Sequence, residues 1–275
     1  MAAILRSVQG ATTLSDAVAP LRADPAHSAV LLDVDGTLAP IVRYAEDAHL
    51  PESTRALLIQ VARRYAMVAC VSGRQAPEAR RIVSLGTITY VGNHGSELLR
   101  AGTTKPEIDG ELRAWARRLH QFADDHFSPE MRRLRVRPED KGTIVALHWR
   151  GAPDEDEARA AIDPVARAAE AAGFHLHWGR KVLEIRPPVK FDKGTGITRL
   201  LRNADIDVAL YAGDDSTDLD AFRALASLAE SGRIQQAVRV AVRSEELPPA
   251  LEAEADVVVD GTKGVSQLLE LLLHD

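Results

Sequence analysis

The run Ala29–Val34 (AVLLDV) is apolar at five of six positions and breaks into the turn DGT. A strand with one face in water alternates apolar and polar residues. A continuous run suits a strand covered on both faces, as in a parallel sheet flanked by helices. The pattern recurs along the chain. Ala66–Val71 (AMVACV) ends in SGR, Thr87–Val91 leads into GNHG, and Val208–Ala212 ends in GDD. Ala237–Val242 and Asp256–Val259 read as two more strands. Between them Pro51–Tyr65, Ala76–Leu85, Gly194–Asn203, Thr217–Leu225 and Val265–His274 read as helices. In the first of these, Pro51 sits near the start and Leu57, Leu58, Val61 and Ala62 share one stripe.

The texture changes after about residue 104. Glu107–Phe127 reads as a long charged helix, and Leu134–Arg137 and Thr143–His148 alternate like half-exposed antiparallel strands. Pro153–Gly173 is an alanine-rich helix opened by the acidic DEDE of Asp154–Glu157, which complements a helix dipole. Phe174–Arg186 alternates around the turn WGRK, before Pro187 and Pro188 punctuate the chain. The expected fold is α/β: a doubly wound parallel-sheet core formed by residues 1–104 and 190–275, with an inserted α+β cap at 105–189. In RRLRVR (132–137), alternation sets Arg133, Arg135 and Arg137 on one exposed strand face.

Composition narrows the function. A net charge of −6 excludes a dedicated nucleic-acid binder, whose affinity begins with phosphate neutralisation. One cysteine excludes a disulfide framework, and Cys70 in mid-strand reads as a buried apolar thiol. The stretch MAAILRSVQGATTLSD lacks the basic start and apolar run of a secretory signal, and no window nears the ~20 apolar residues of a membrane helix. The expected location is cytoplasmic. With 28 Arg and only 6 Lys, each lysine repays inspection.

In open parallel sheets, ligands bind at the carboxyl ends of the strands. Four such ends carry DVDGT, SGR, GNHG and GDD. Packing explains poorly an aspartate pair spaced by one residue and followed by Gly-Thr. Asp33 and Asp35 would face the crevice, Val34 would tuck back, and Gly36 would let the backbone approach an anion. The competing readings are a structural turn for DGT and caps of the next helix for Asp214 and Asp215. Lys190 competes with Lys193 for a cationic role. Lys193 is preferred because its KG opens a helix, whose N-terminus adds positive field.

In this order the motifs resemble those of the haloacid dehalogenase superfamily of phosphohydrolases. The resemblance implies that Asp33 is the nucleophile and Asp35 the general acid/base. It also implies that Ser72 binds the phosphoryl oxygens and Lys193 neutralises them. Hard oxygen ligands at a phosphate site suggest Mg²⁺. Asp33, the main-chain carbonyl of Asp35, and Asp214 are its expected ligands, with Asp215 either a partner behind them or a ligand through water. Asp218 is expected to anchor Lys193.

The stretches LLDVDGTLAPI, VSGR, VGNHGSE, PEDKGTIVALHWR, KVLEIRPPVKFDKG and GDDSTDLDAF resemble, more narrowly, the trehalose-phosphate phosphatases within that superfamily. They span about residues 29–222. The resemblance implies hydrolysis of trehalose 6-phosphate, the final step of trehalose biosynthesis, and a functional link to a trehalose-phosphate synthase. It implies sugar contacts from Glu139, Lys141 and Glu184, with Arg186 a weaker candidate, and from Arg74, Asn93, His94 and Gly95 in the core. His148 reads as structural. Leu219 stands where family members carry a glutamate in GDDxTDE, a departure expected to leave activity intact. The alternatives are a phosphatase for sucrose phosphate or a mannosyl phosphoglycerate, a phosphomutase, and a sugar-phosphate sensor without chemistry. A sensor would be expected to have lost one of Asp33, Asp35, Lys193 or Asp214.

Overall fold

The computed structural model describes residues 13–42, 47–244 and 247–274. The N-terminal stretch read above for a targeting signal lies outside them up to residue 12. The chain divides into two compact units, one from residues up to Pro106 and from Asp192 onward, the other Glu107–Phe191. Among the described residues no helix is long and apolar enough to cross a membrane.

The first unit opens with α1 (Leu14–Ala23), β1 (Ser28–Asp33), α2 (Glu52–Arg64), β2 (Met67–Val71), α3 (Ala76–Val83), β3 (Thr89–Gly92) and β4 (Glu97–Leu99). The second unit holds the two-residue strand β5 (Glu107–Ile108), α4 (Gly110–His126), α5 (Pro129–Arg133), β6 (Arg137–Asp140), β7 (Val145–His148), α6 (Glu155–Ala171), β8 (His175–Gly179) and β9 (Val182–Arg186). The chain returns to the first unit through α7 (Lys193–Leu201), β10 (Val208–Gly213), α8 (Asp218–Glu230), β11 (Gln236–Arg243), α9 (Pro249–Glu254), β12 (Val257–Asp260) and α10 (Gly261–Leu273).

The strands of the first unit lie in the order β12-β11-β10-β1-β2-β3-β4. All neighbours are parallel except β3 and β4. Alternation along β1 divides its side chains between two cores: Val30 and Leu32 join one apolar cluster, Ala29 and Leu31 the other. The first core includes Val18 of α1, Leu58 of α2, Ile82 of α3 and Leu268 of α10; the second includes Ile197 of α7 and Phe222 of α8. This is the two-sided covering that the continuous apolar runs require, and Cys70 is fully buried within it. The chain runs outward from β1 through β2 and β3 in one direction and from β10 through β11 and β12 in the other. The resulting switch point lies between β1 and β10, which opens a crevice beyond their carboxyl ends.

The second unit is a four-stranded antiparallel sheet in the order β6-β7-β9-β8, backed by α4, α5 and α6. Two sequence expectations are corrected here. The stretch 132–137 is not a strand: Ser128 caps Met131 N–H, Pro129 takes the first helical position, and α5 consumes Arg132 and Arg133. Arg135 then turns at φ 59°, so Arg133, Arg135 and Arg137 share no strand face. The helix expected from Glu107 begins only at Gly110, because the Asp109 side chain accepts from Glu111 N–H and fixes the start there. Asp154 does the same for α6, accepting from Asp156 and Glu157 N–H.

Candidate active site

At the end of β1 the Asp33 carboxylate is buried, 4 % exposed, and Lys193 Nζ donates to its Oδ1 at 2.8 Å. Lys193 is the first residue of α7 and stands there because Asp192 closes a capping box with Thr195. The same ammonium donates to Asp218 Oδ1 at 2.6 Å and lies 3.8 Å from Asp215 Oδ1. Burial alone would lower the Lys193 pKa; the carboxylates of Asp218, Asp33 and Asp215 outweigh it and keep the amine charged. Lys190, the competing lysine, is exposed.

Asp33, Asp214 and Asp218 each place a carboxylate oxygen within 4.8 Å of the others. Asp218 is the anchor of this group. Its Oδ1 accepts from Lys193 and the Tyr211 hydroxyl, its Oδ2 from the Asp214 and Asp215 amides at 2.8 and 2.9 Å. A carboxylate offers about four acceptor positions, so Asp218 has none left for a metal. Asp214 differs: its described side-chain partner is the Thr37 hydroxyl, at 3.2 Å from Oδ1. Burial, then the charges of Asp218 and Asp215, raise its pKa to about 7. Burial also pushes Asp33 well up, with Lys193 opposing and Asp218 and Asp214 assisting. Buried carboxylates strained toward protonation by one another form a hard-oxygen donor set that a divalent cation would relieve. Gly36, at φ +89°, is required here because a Cβ would lie 2.2 Å from an Asp214 carboxylate oxygen. Asp215 is more exposed; Lys193 and the Thr217 N–H and hydroxyl hold it below its ordinary pKa despite burial.

Asp35 is gripped from the SGR loop. Arg74 donates from Nε to Oδ2 at 2.7 Å and from Nη2 to Oδ1 at 2.8 Å, while its Nη1 reaches Glu78 Oε1. Ser72 is buried; its Oγ accepts from Arg74 N–H at 3.1 Å. Backbone bonds stitch this loop to the next, Asn93 N–H to Arg74 O at 2.6 Å and His94 N–H to Ser72 O at 3.2 Å. Asn93 and His94 both adopt positive φ, 48° and 54°, which is costly for residues with a Cβ. Buried Glu97 secures this turn: it bonds the Asn93 side chain and accepts from Ala76 N–H at 2.8 Å.

In the second unit, Glu139, Lys141 and Glu184 converge on one sheet face. Lys141 Nζ donates to Glu184 Oε1 at 3.0 Å and lies 3.8 Å from Glu139 Oε2. Arg186 holds the other Glu184 oxygen, and His148 Nε2 meets Glu139 Oε2 at 2.8 Å. Burial alone would raise the Glu184 pKa, but Arg186 and Lys141 overcome it and set the value to about 2. The folded value lies below the ordinary 4.5, so the stabilisation is complete above pH 4.5 and is lost as pH falls toward 2. Glu184→Gln is therefore expected to cost this unit roughly 3 kcal/mol at pH 7. Urea unfolding at pH 7 and pH 3 checks this; the gap between the two proteins should narrow at pH 3.

Sequence reasoning missed Thr37, Tyr211 and Glu97 as supports. Thr37 and Glu97 lay inside the motifs DGT and GNHGSE, whereas Tyr211 carries no signal in its apolar strand.

Residues 31–250 match the family model for trehalose-phosphatase. The chain is 32 % identical over 208 residues to a probable trehalose-phosphate phosphatase D of Arabidopsis thaliana, covering 71 % of this chain and 56 % of that one. It is 34 % identical over 209 residues to a trehalose-phosphate phosphatase of Mycobacterium avium (strain 104), covering 72 % and 51 %. The chain thus spans about half the length of the curated relatives it matches. The fold is similar to that of the C-terminal domain of a C. albicans trehalose-6-phosphate phosphatase, with a TM-score of 0.67 at 18 % identity over 96 % of this chain and 99 % of that one.

Proposed function

The chain belongs to the trehalose-phosphatase family, and from that premise we propose that it hydrolyses trehalose 6-phosphate to trehalose and inorganic phosphate. This would be the last step of trehalose biosynthesis. The observation that carries the chemistry is the buried Asp33 carboxylate, 2.8 Å from Lys193 Nζ at the end of β1. Phosphoryl transfer asks a protein mainly for positioning and charge neutralisation, and this pair supplies both.

An Asp33 oxygen attacks phosphorus as the bond from phosphorus to the sugar oxygen breaks, leaving an aspartyl-phosphate. Asp35, protonated once its pairing with Arg74 opens, gives a proton to the departing oxygen. It then takes one from the water that attacks phosphorus, which frees phosphate and restores Asp33. Lys193 and Ser72 hold the phosphoryl oxygens. Arg74 acts on Asp35 in this reading, in addition to the sugar-side role the resemblance implied for it with Asn93 and His94. Glu139, Lys141 and Glu184 bind sugar hydroxyls, since carboxylates accept and ammonium donates to them. In the second unit Arg186 has a supporting part, holding Glu184 ionised.

Asp33, the main-chain carbonyl of Asp35, and Asp214 would hold Mg²⁺, with Asp215 beside them, since hard oxygen donors suit that ion. When bound, such a cation supplies the positive charge that keeps Asp33 and Asp214 ionised beside a phosphate dianion. Asp214→Asn is expected to raise the Mg²⁺ concentration for half-maximal activity at least tenfold, because such sites have few protein ligands to spare. An unchanged Mg²⁺ titration would transfer the ligand role to Asp215.

Phosphate release across a panel of sugar phosphates tests the substrate. Trehalose 6-phosphate is expected to be preferred over sucrose phosphate, mannosyl phosphoglycerate and glucose 6-phosphate. Equal rates on all four would reduce the reading to a general sugar phosphatase. No release from any would favour a sensor. The sole partner this reading requires is the small phosphorylated sugar; the link to a trehalose-phosphate synthase is one of shared substrate.

A further inference from the structure

The antiparallel register of the second unit lines up one row of side chains across its four strands: Glu139, Ala146, Glu184 and His177. Neighbouring strands are about 4.8 Å apart, so the two carboxylates flank Ala146 at roughly twice that spacing, with only a methyl between them. Lys141 bridges the gap, 3.0 Å from Glu184 Oε1 and 3.8 Å from Glu139 Oε2. The two carboxylates are not held alike. Glu184 is buried, with Lys141 on one oxygen and Arg186 on the other. Glu139 sits on the outermost strand with its side chain 49 % exposed. A glutamate on an open edge samples many rotamers, and fixing it costs side-chain entropy on every binding event.

His148 removes that freedom. It lies on β7 in the row next to Ala146, opposite Arg137, on the face that carries Glu139. Its Nε2 is 2.8 Å from Glu139 Oε2. A carboxylate only accepts, so Nε2 carries the hydrogen, and Glu139 Oε1 is left to receive a hydroxyl. On this face the register sets Arg137 directly opposite His148, with Glu139 and Glu184 in the next row.

We propose that His148, read from sequence alone as structural, is a positioning residue for sugar recognition: it presets the Glu139 carboxylate so that one oxygen faces the sugar. The proposal rests on the reading that Glu139 contacts the substrate. It assigns His148 no part in phosphorus chemistry. Preorganisation of this kind acts by lowering the ordering cost of binding, so its loss belongs in KM for the sugar ester.

Steady-state kinetics on trehalose 6-phosphate and p-nitrophenyl phosphate test this in the wild type, His148→Ala, His148→Gln, Glu139→Ala and the double variant His148→Ala/Glu139→Ala. His148→Ala is expected to raise KM for trehalose 6-phosphate about tenfold while kcat changes little. His148→Gln, whose amide can donate from nearly the same place, should recover most of that loss. Neither should alter p-nitrophenyl phosphate hydrolysis. The double variant should be no worse than Glu139→Ala alone. An unchanged KM in His148→Ala, additive losses in the double variant, or equal losses on both substrates would overturn the proposal. If the wild type hydrolyses p-nitrophenyl phosphate but not trehalose 6-phosphate, the substrate reading has failed instead. The pairing is then decided by the ring ¹⁵N and ¹H chemical shifts of His148 at one fixed pH: a change in Glu139→Ala upholds it, and unchanged shifts refute it.

Discussion

Asp33→Asn is expected to abolish phosphate release while the protein stays folded. The amide keeps the size of the side chain but removes its negative charge, and with it the nucleophilicity proposed for Asp33. Lys193 still has Asp218 Oδ1 at 2.6 Å and Asp215 nearby, so its buried ammonium keeps partners and the fold tolerates the change. The loss should reach several orders of magnitude in kcat, each tenfold step being ~1.4 kcal/mol of barrier. Malachite-green phosphate detection, together with circular dichroism, reads both halves of the expectation. Substantial turnover by a well-folded variant would remove Asp33 from the nucleophile's role.

The second large effect is selective. Glu184→Ala is expected to cut kcat/KM for trehalose 6-phosphate by roughly a hundredfold, a few kcal/mol for a charged hydrogen bond lost at a buried site. Lys141 and Arg186 would then face each other without the carboxylate that joins them. Glu139→Ala should act in the same direction more weakly, since that side chain is the more exposed of the two. p-Nitrophenyl phosphate, which has no sugar, should be turned over at nearly the wild-type rate by both. Equal losses on the two substrates would show that these residues serve folding. No loss on either would mean that sugar recognition lies elsewhere.

The core was legible because its strands are continuously apolar, so polar residues at their ends stand out. Asp33, Ser72 and Asp214 could be singled out this way, and the helix opened by KG marked Lys193 over Lys190. Contacts between distant residues were not legible. Nothing in SGR announces that Arg74 grips Asp35, 39 residues earlier, and nothing in VALYAG marks the Tyr211 hydroxyl as a support for Asp218. Periodicity reports which face a residue takes, not which partner it meets. The stretch 132–137 failed for a different reason: alternating arginines imitate a strand, but the local Ser128–Pro129 start and the left-handed turn at Arg135 decided otherwise. The pairing of His148 with Glu139 was not legible either, because the two lie on different strands and only the register brings them together.

One measurement reaches both the substrate and the side chain proposed to attack it. The protein is mixed with trehalose 6-phosphate and Mg²⁺, quenched in acid during turnover, and digested for peptide mass spectrometry. One added phosphoryl group is expected on the peptide that contains Asp33, labile to hydroxylamine and missing from Asp33→Asn. Steady phosphate release with no modified carboxylate at any quench time would contradict it.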